Sequence, residues 1–76
     1  MTEPEWLEEF GKSLAYSIMN AGTTQRELAK VTGLTEGTIS KYVTGRQMPS
    51  ARAIINISYA LDCTTDSLID FGDTIE

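Results

Sequence analysis

Residues 24 to 45, TQRELAKVTGLTEGTISKYVTG, constrain the fold more than any other stretch of the chain. They predict two short amphipathic helices joined by a turn built around Gly33. Thr24-Gln25-Arg26-Glu27 reads as a capping box. In it the Thr24 hydroxyl and the Glu27 carboxylate satisfy first-turn N–H groups that no helical carbonyl can reach. Thr35 can cap the second helix, and Gly45 supplies a left-handed residue to stop it. Apolar residues fall at Leu28, Ala29 and Val31, then at Leu34, Ile39 and Tyr42. That spacing predicts one buried side for each helix. It leaves Glu36, Gly37, Ser40, Lys41 and Thr44 as a polar stripe on the second, facing outward.

The flanks extend a helical pattern. Pro4 suits a first turn, and Glu5, Glu8 and Glu9 complement the positive end of a helix dipole. Leu7, Phe10, Leu14, Ile18 and Ala21 then recur at spacings of three and four, so a first helix is predicted over 4–21, ended by Gly22. The two central helices are predicted over 25–31 and 36–44. Ser50 can cap a fourth over 51–61, with Ile54, Ile57, Ser58 and Leu61 on one face. Asp62 is a tolerable left-handed terminator, and Thr64 can cap a short fifth helix bearing Leu68 and Ile69. Trp6, Phe10 and Tyr42 read as core residues, and Cys63 as a small buried hydrophobe. With no strand pattern or repeat, the chain is expected to be an all-α, compact five-helix bundle. It would form a single domain over 1–76, with its core at about 4–70 and an acidic, loose tail over 71–76.

Seventy-six residues give one small core, and 41% apolar content is enough to build it. No run approaches the roughly 18 to 20 apolar residues of a membrane span. The acidic start MTEPEWLEEF lacks the basic and apolar regions of a signal peptide, so a cytoplasmic location is expected. With one cysteine and no histidine, neither an internal disulfide nor a multi-cysteine zinc site is expected. No nucleophile–base pair, phosphate-binding glycine loop or metal-ligand cluster is apparent. An enzyme, a cofactor, a metal and a small-molecule substrate are accordingly not expected.

The net charge of −5 argues at first against a nucleic-acid partner, but its distribution argues the other way. Between Thr24 and Arg52, Arg26, Lys30, Lys41, Arg46 and Arg52 oppose only Glu27 and Glu36, a local charge of +3. Residues 1–23 carry −3 and residues 53–76 carry −5. Five of the six cations thus lie in the central segment. Local potential, rather than the total, sets an electrostatic footprint. Scattered surface charge is the plainer alternative.

These residues resemble the phage Cro/C1-repressor type of helix-turn-helix domain, the Xre-like group. The resemblance rests on Gln25, Leu28-Ala29, Gly33-Leu34-Thr35, Thr38-Ile39-Ser40, Gly45, Pro49-Ser50, Ala60-Leu61 and Leu68, and it runs from about Phe10 to Ile69. Ser17 and Thr23 depart from it, standing where the group usually has apolar residues, which predicts a looser or more polar contact between helices 1 and 2. Val43 replaces a common charged residue and leaves an apolar group near the exposed face. The resemblance implies that helix 3 enters the major groove of double-stranded DNA. It further implies that Gln25 and the start of helix 2 meet a phosphate, with Thr24, Thr35, Thr44 and Arg46 bracketing the duplex. Capping alone also explains the threonines.

Base reading would then fall to Glu36, Gly37, Thr38, Ser40 and Lys41. Lys41 can donate to guanine O6 and N7, Glu36 can accept from cytosine N4, and the Thr38 methyl can meet a thymine methyl. Glu36 could instead serve only the helix dipole, and Thr38 could be half-buried against helix 2. Gly37 costs helix stability, for which close approach of the backbone to a base edge would compensate.

The chain opens at Met1 and ends soon after helix 5, which would leave no room for a separate effector domain. Read as a whole protein, it resembles small Cro-like repressors that occupy a palindromic operator. The expected state is a homodimer through the helix 4–helix 5 region and tail, where Phe71 and Ile75 lie beyond the core. A rival reading is a protein-interaction module, antitoxin-like or anti-repressor, whose acidic ends bind a basic partner.

Overall fold

The computed structural model describes residues 1–69. It contains five helices: α1 (Glu3–Asn20), α2 (Gln25–Thr32), α3 (Glu36–Val43), α4 (Ala51–Ala60) and α5 (Thr65–Ile69). No predicted end of the first four differs by more than one residue. The all-α five-helix architecture expected from the sequence is what the chain adopts. The tail 71–76, with Phe71 and Ile75, lies outside the described residues.

Each boundary has a local cause. Thr2, Thr24, Thr35 and Ser50 cap α1 to α4, each side-chain oxygen accepting an N–H three residues on. Thr64 does the same for α5, accepting from Ser67 at 3.1 Å. The Thr2 cap was not expected from the sequence. It starts α1 one residue before Pro4, which still falls in the first turn, where a missing N–H leaves nothing unsatisfied. At the other ends, Gly22, Gly33, Gly45 and Asp62 all take positive φ. Three of these close with paired backbone bonds. Thr23 N donates to Ile18 O, Arg46 N to Lys41 O and Cys63 N to Ser58 O, each alongside the shorter turn bond of the preceding residue. That pairing satisfies carbonyls a helix end would otherwise leave bare.

α1 packs on α3 and α5, α2 packs on α3 and α4, and α4 closes onto α5. Phe10, Leu14 and Ile18 of α1 meet Leu28, Ala29, Ile39, Tyr42, Ala53, Ile57, Leu61 and Leu68 in one buried cluster. Trp6 stacks on Phe10 with ring centroids 5.4 Å apart, and Phe10 meets Tyr42 edge-on at 6.3 Å. These three aromatics are structural, as expected.

Four expectations about side chains need correction. Val31 is not buried: 70% of it is exposed. Leu28 and Ala29 fill the inward face of α2, and Val31 opens onto a groove shared with Thr32, Asn56, Tyr59 and Ala60. Ala21 is exposed because it is the C-cap of α1, already beyond the packed stripe. Cys63 is only half-buried, at the rim of the core. Val43 is not an outward apolar group, since it packs against the core. The backbone of Val43 lies against Gly11 of α1. A Cβ on Gly11 would collide with the Val43 carbonyl oxygen and lie 3.0 Å from that of Tyr42. Only a glycine lets α1 lie this close to the end of α3.

Candidate nucleic-acid interface

The inner side of α3 is spent on the core, where Ile39 is fully buried and Tyr42 nearly so. Burial raises the Tyr42 phenol above its ordinary pKa, so it stays neutral in that setting. The opposite side is bare among the described residues: Glu36, Gly37, Ser40, Lys41 and Thr44 are all exposed, with Thr38 half-buried beside them. The outward stripe predicted from spacing therefore exists on one helix face. The turn that presents it is held by Gly33, at φ 76°, and by the Thr32 hydroxyl, which donates to Leu28 O at 2.7 Å and accepts from Leu34 N at 3.4 Å.

The hydroxyls in this region differ in what they have left to give. Thr24 accepts from Glu27 N at 3.1 Å, and its own proton has no acceptor among the described residues. The return bond of the capping box is not made. The Glu27 carboxylate turns instead toward Lys30, 3.7 Å away. Thr35 accepts from Thr38 N at 3.0 Å and donates to Thr38 Oγ1 at 2.9 Å, so its single proton is used. Thr44 donates back to Ser40 O at 2.8 Å, which closes the end of α3. Gln25, half-buried, is the first residue of α2, and its amide is uncommitted among the described residues.

The cations divide as sharply. Lys12 lies near Glu8 and Glu9, and Lys30 near Glu27. Among the described residues, Lys41, Arg46, Arg26 and Arg52 have no carboxylate partner, and all four are exposed. Lys41 is not paired with Glu36, which stands at the start of α3. Arg26 and Arg52 belong to the basic segment, and the family resemblance assigns them no contact. The signal that marks them is position: each sits in the first turn of a helix, where the dipole disfavours a cation. Gly37 stands in open space, since a Cβ there would touch nothing closer than Thr35 Oγ1 at 3.8 Å. Packing within the chain therefore does not require that glycine.

Among the described residues there is no cluster of three metal-ligating side chains, and no helix is long and apolar enough to cross a membrane.

Uncovered on one side and capped at both ends, α3 behind the Gly33 turn is the second helix of a helix-turn-helix. The family model described as helix-turn-helix matches residues 18–68, and the chain belongs to that family, of the Cro/C1 type. Solved structures similar to the chain include two regulators. The restriction-modification controller protein C.AhdI from Aeromonas hydrophila is 27% identical, with a TM-score of 0.79 over 82% of this chain and 94% of that one. The clp gene regulator ClgR from Corynebacterium glutamicum is 29% identical, with a TM-score of 0.79 over 86% of this chain and 70% of that one. No curated protein sequence matches.

Proposed function

We propose that this protein is a DNA-binding transcriptional regulator that inserts α3 into the major groove of a double-stranded operator and acts as a repressor by occupying it. The observation that carries this reading is the bare outer face of α3: five exposed polar or glycine positions on a helix whose other side is locked into the core. The similar proteins C.AhdI and ClgR, a controller protein and a gene regulator by name, support the same reading.

Base reading falls to Glu36, Gly37, Thr38, Ser40 and Lys41, with Lys41 the strongest donor toward guanine. Phosphate contact falls first to Thr24, Gln25 and Arg46, which have free donors; the start of α2 adds its N–H groups and dipole. Thr35 and Thr44 would have to release an internal bond to donate. Arg26 and Arg52 supply further cations with no competing carboxylate.

One such unit reads few base pairs, so the protein is proposed to act as a two-fold dimer on a near-palindromic site. That spacing places two recognition helices about 34 Å apart. The α4 side offers the surface for it, since Ile55 is 47% and Tyr59 83% exposed beside the Val31 groove. Sedimentation should show a dimer on DNA, and a monomer both free and bound would overturn this part.

A selection from random duplexes at two salt concentrations tests the whole. Binding should be specific, palindromic and strongly salt-dependent, each neutralised phosphate adding roughly 0.9 to the log–log slope. Lys41→Ala should change base preference, whereas Arg46→Ala should weaken all duplexes alike. The acidic face of α1 would favour the protein-interaction module instead if no duplex is selected and a basic protein partner binds.

A further inference from the structure

Four threonines on the helix-turn-helix, Thr24, Thr32, Thr35 and Thr44, have side chains tied to neighbouring backbone, and two of them use their proton in the same way. Thr32 donates to Leu28 O and Thr44 to Ser40 O, each reaching the carbonyl four residues back. Thr38 cannot follow them. It is the third residue of α3, so the carbonyl four residues back belongs to Leu34, which precedes the helix. Its oxygen meets Thr35 instead. Thr35 Oγ1 accepts the Thr38 N–H at 3.0 Å and passes its own proton to Thr38 Oγ1 at 2.9 Å. Thr38 holds the position where a capping box has glutamate or glutamine, but it bonds the Thr35 hydroxyl rather than the Thr35 backbone N–H.

The consequence concerns polarity. A hydroxyl has one proton and two lone pairs. Thr35 fills one lone pair of Thr38 and leaves it a second lone pair and a proton that no described residue accepts; an unused donor is the costlier of the two to leave unmade. Beside it, Gly37 leaves the surface open. From this we infer that Thr35 is a positioning residue that sets Thr38 as a hydrogen-bond donor toward an acceptor on a base edge, so that Thr38 discriminates by its proton as well as its methyl. The acceptors available in the major groove are N7 and O6 of guanine, N7 of adenine and O4 of thymine. The inference rests on the proposed reading of α3 as the recognition helix.

The pair can be tested because its polarity can be reversed without adding charge. Asn at position 35 is a good helix cap, but its carbonyl oxygen only accepts. In Thr35→Asn that oxygen would take both the Thr38 N–H and the Thr38 O–H, leaving Thr38 only lone pairs to offer DNA. Duplex selection should be run on the parent, Thr38→Val, Thr38→Ser, Thr35→Ser and Thr35→Asn, each checked for an unchanged melting temperature to within a few degrees. Thr38→Val should lose preference at one base pair of each half-site, by roughly tenfold. Thr38→Ser and Thr35→Ser should keep it. Thr35→Asn should move that same pair toward a base presenting a donor, adenine N6 or cytosine N4.

Three results would overturn the inference while the parent still selects a specific site: no positional change in Thr38→Val, an even loss across all duplexes, which would mean a phosphate contact, or a Thr35→Asn preference identical to the parent. Failure of the parent itself to select any duplex would instead overturn the reading of α3.

Discussion

At the scale of single residues, Gly37 separates what the fold needs from what a ligand would need. The left-handed glycines 22, 33 and 45 hold positive φ and end their helices, so each is tied to the fold. Gly37 does neither: it lies in the first turn of α3, with space where a methyl would go. Alanine there should strengthen the helix by about 0.5 kcal/mol, raising the melting temperature by about 3 °C. If the bare backbone exists for close approach to a base edge, the same methyl should weaken binding to the selected operator by about tenfold. Calorimetry and a binding titration on Gly37→Ala check both signs. A variant that is more stable and binds as well as the parent would show this glycine to be incidental. The outward stripe was legible in the sequence because helical spacing alone assigns Glu36, Gly37, Ser40, Lys41 and Thr44 to one side. The direction of the Thr35–Thr38 bond was not, since it depends on rotamers that no spacing specifies.

At the scale of elements, the sequence was most readable where helices end. Caps and left-handed terminators act within a few residues, so Thr24, Thr35, Ser50, Gly33, Gly45 and Asp62 could be assigned without knowing what they pack against. Contacts between helices were less readable. In the sequence Gly11 is only a poor helix former inside α1. In the fold it is the point where α1 touches the Tyr42 and Val43 carbonyls, and it is buried. Val43 and Val31 were misplaced for the same reason, since which flank of a short helix is covered depends on the neighbour's approach. Gly11→Ala should therefore push α1 away from α3 and cost about 3 kcal/mol, despite alanine's better helix propensity. Urea unfolding measures it. A loss far below 1 kcal/mol would mean that α1 can shift at little cost. The Trp6–Phe10–Tyr42 stack lies on that same seam, so Trp6 fluorescence should report the displacement.

At the scale of the whole molecule, charge is arranged so that folding and DNA binding respond to salt in opposite ways. The two ends of the chain are acidic, and the total of −5 makes the compact state repel itself. The basic segment between them includes Arg26, Lys41, Arg46 and Arg52, none neutralised by a carboxylate among the described residues. Raising salt tenfold shortens the screening length by about threefold, which relieves repulsion between exposed acids. The same change removes the advantage of releasing counterions from DNA. The melting temperature of the free protein should thus rise by a few degrees while operator affinity falls by orders of magnitude. Replacing Arg46 with alanine should reduce the salt slope by roughly 0.9 per half-site, about 1.8 for the dimer, and leave the thermal trend almost unaltered. Parallel melting and binding titrations over one salt series separate the two effects. Binding that strengthens with salt, or that is indifferent to it, would mean that the central cations face water rather than a phosphate backbone.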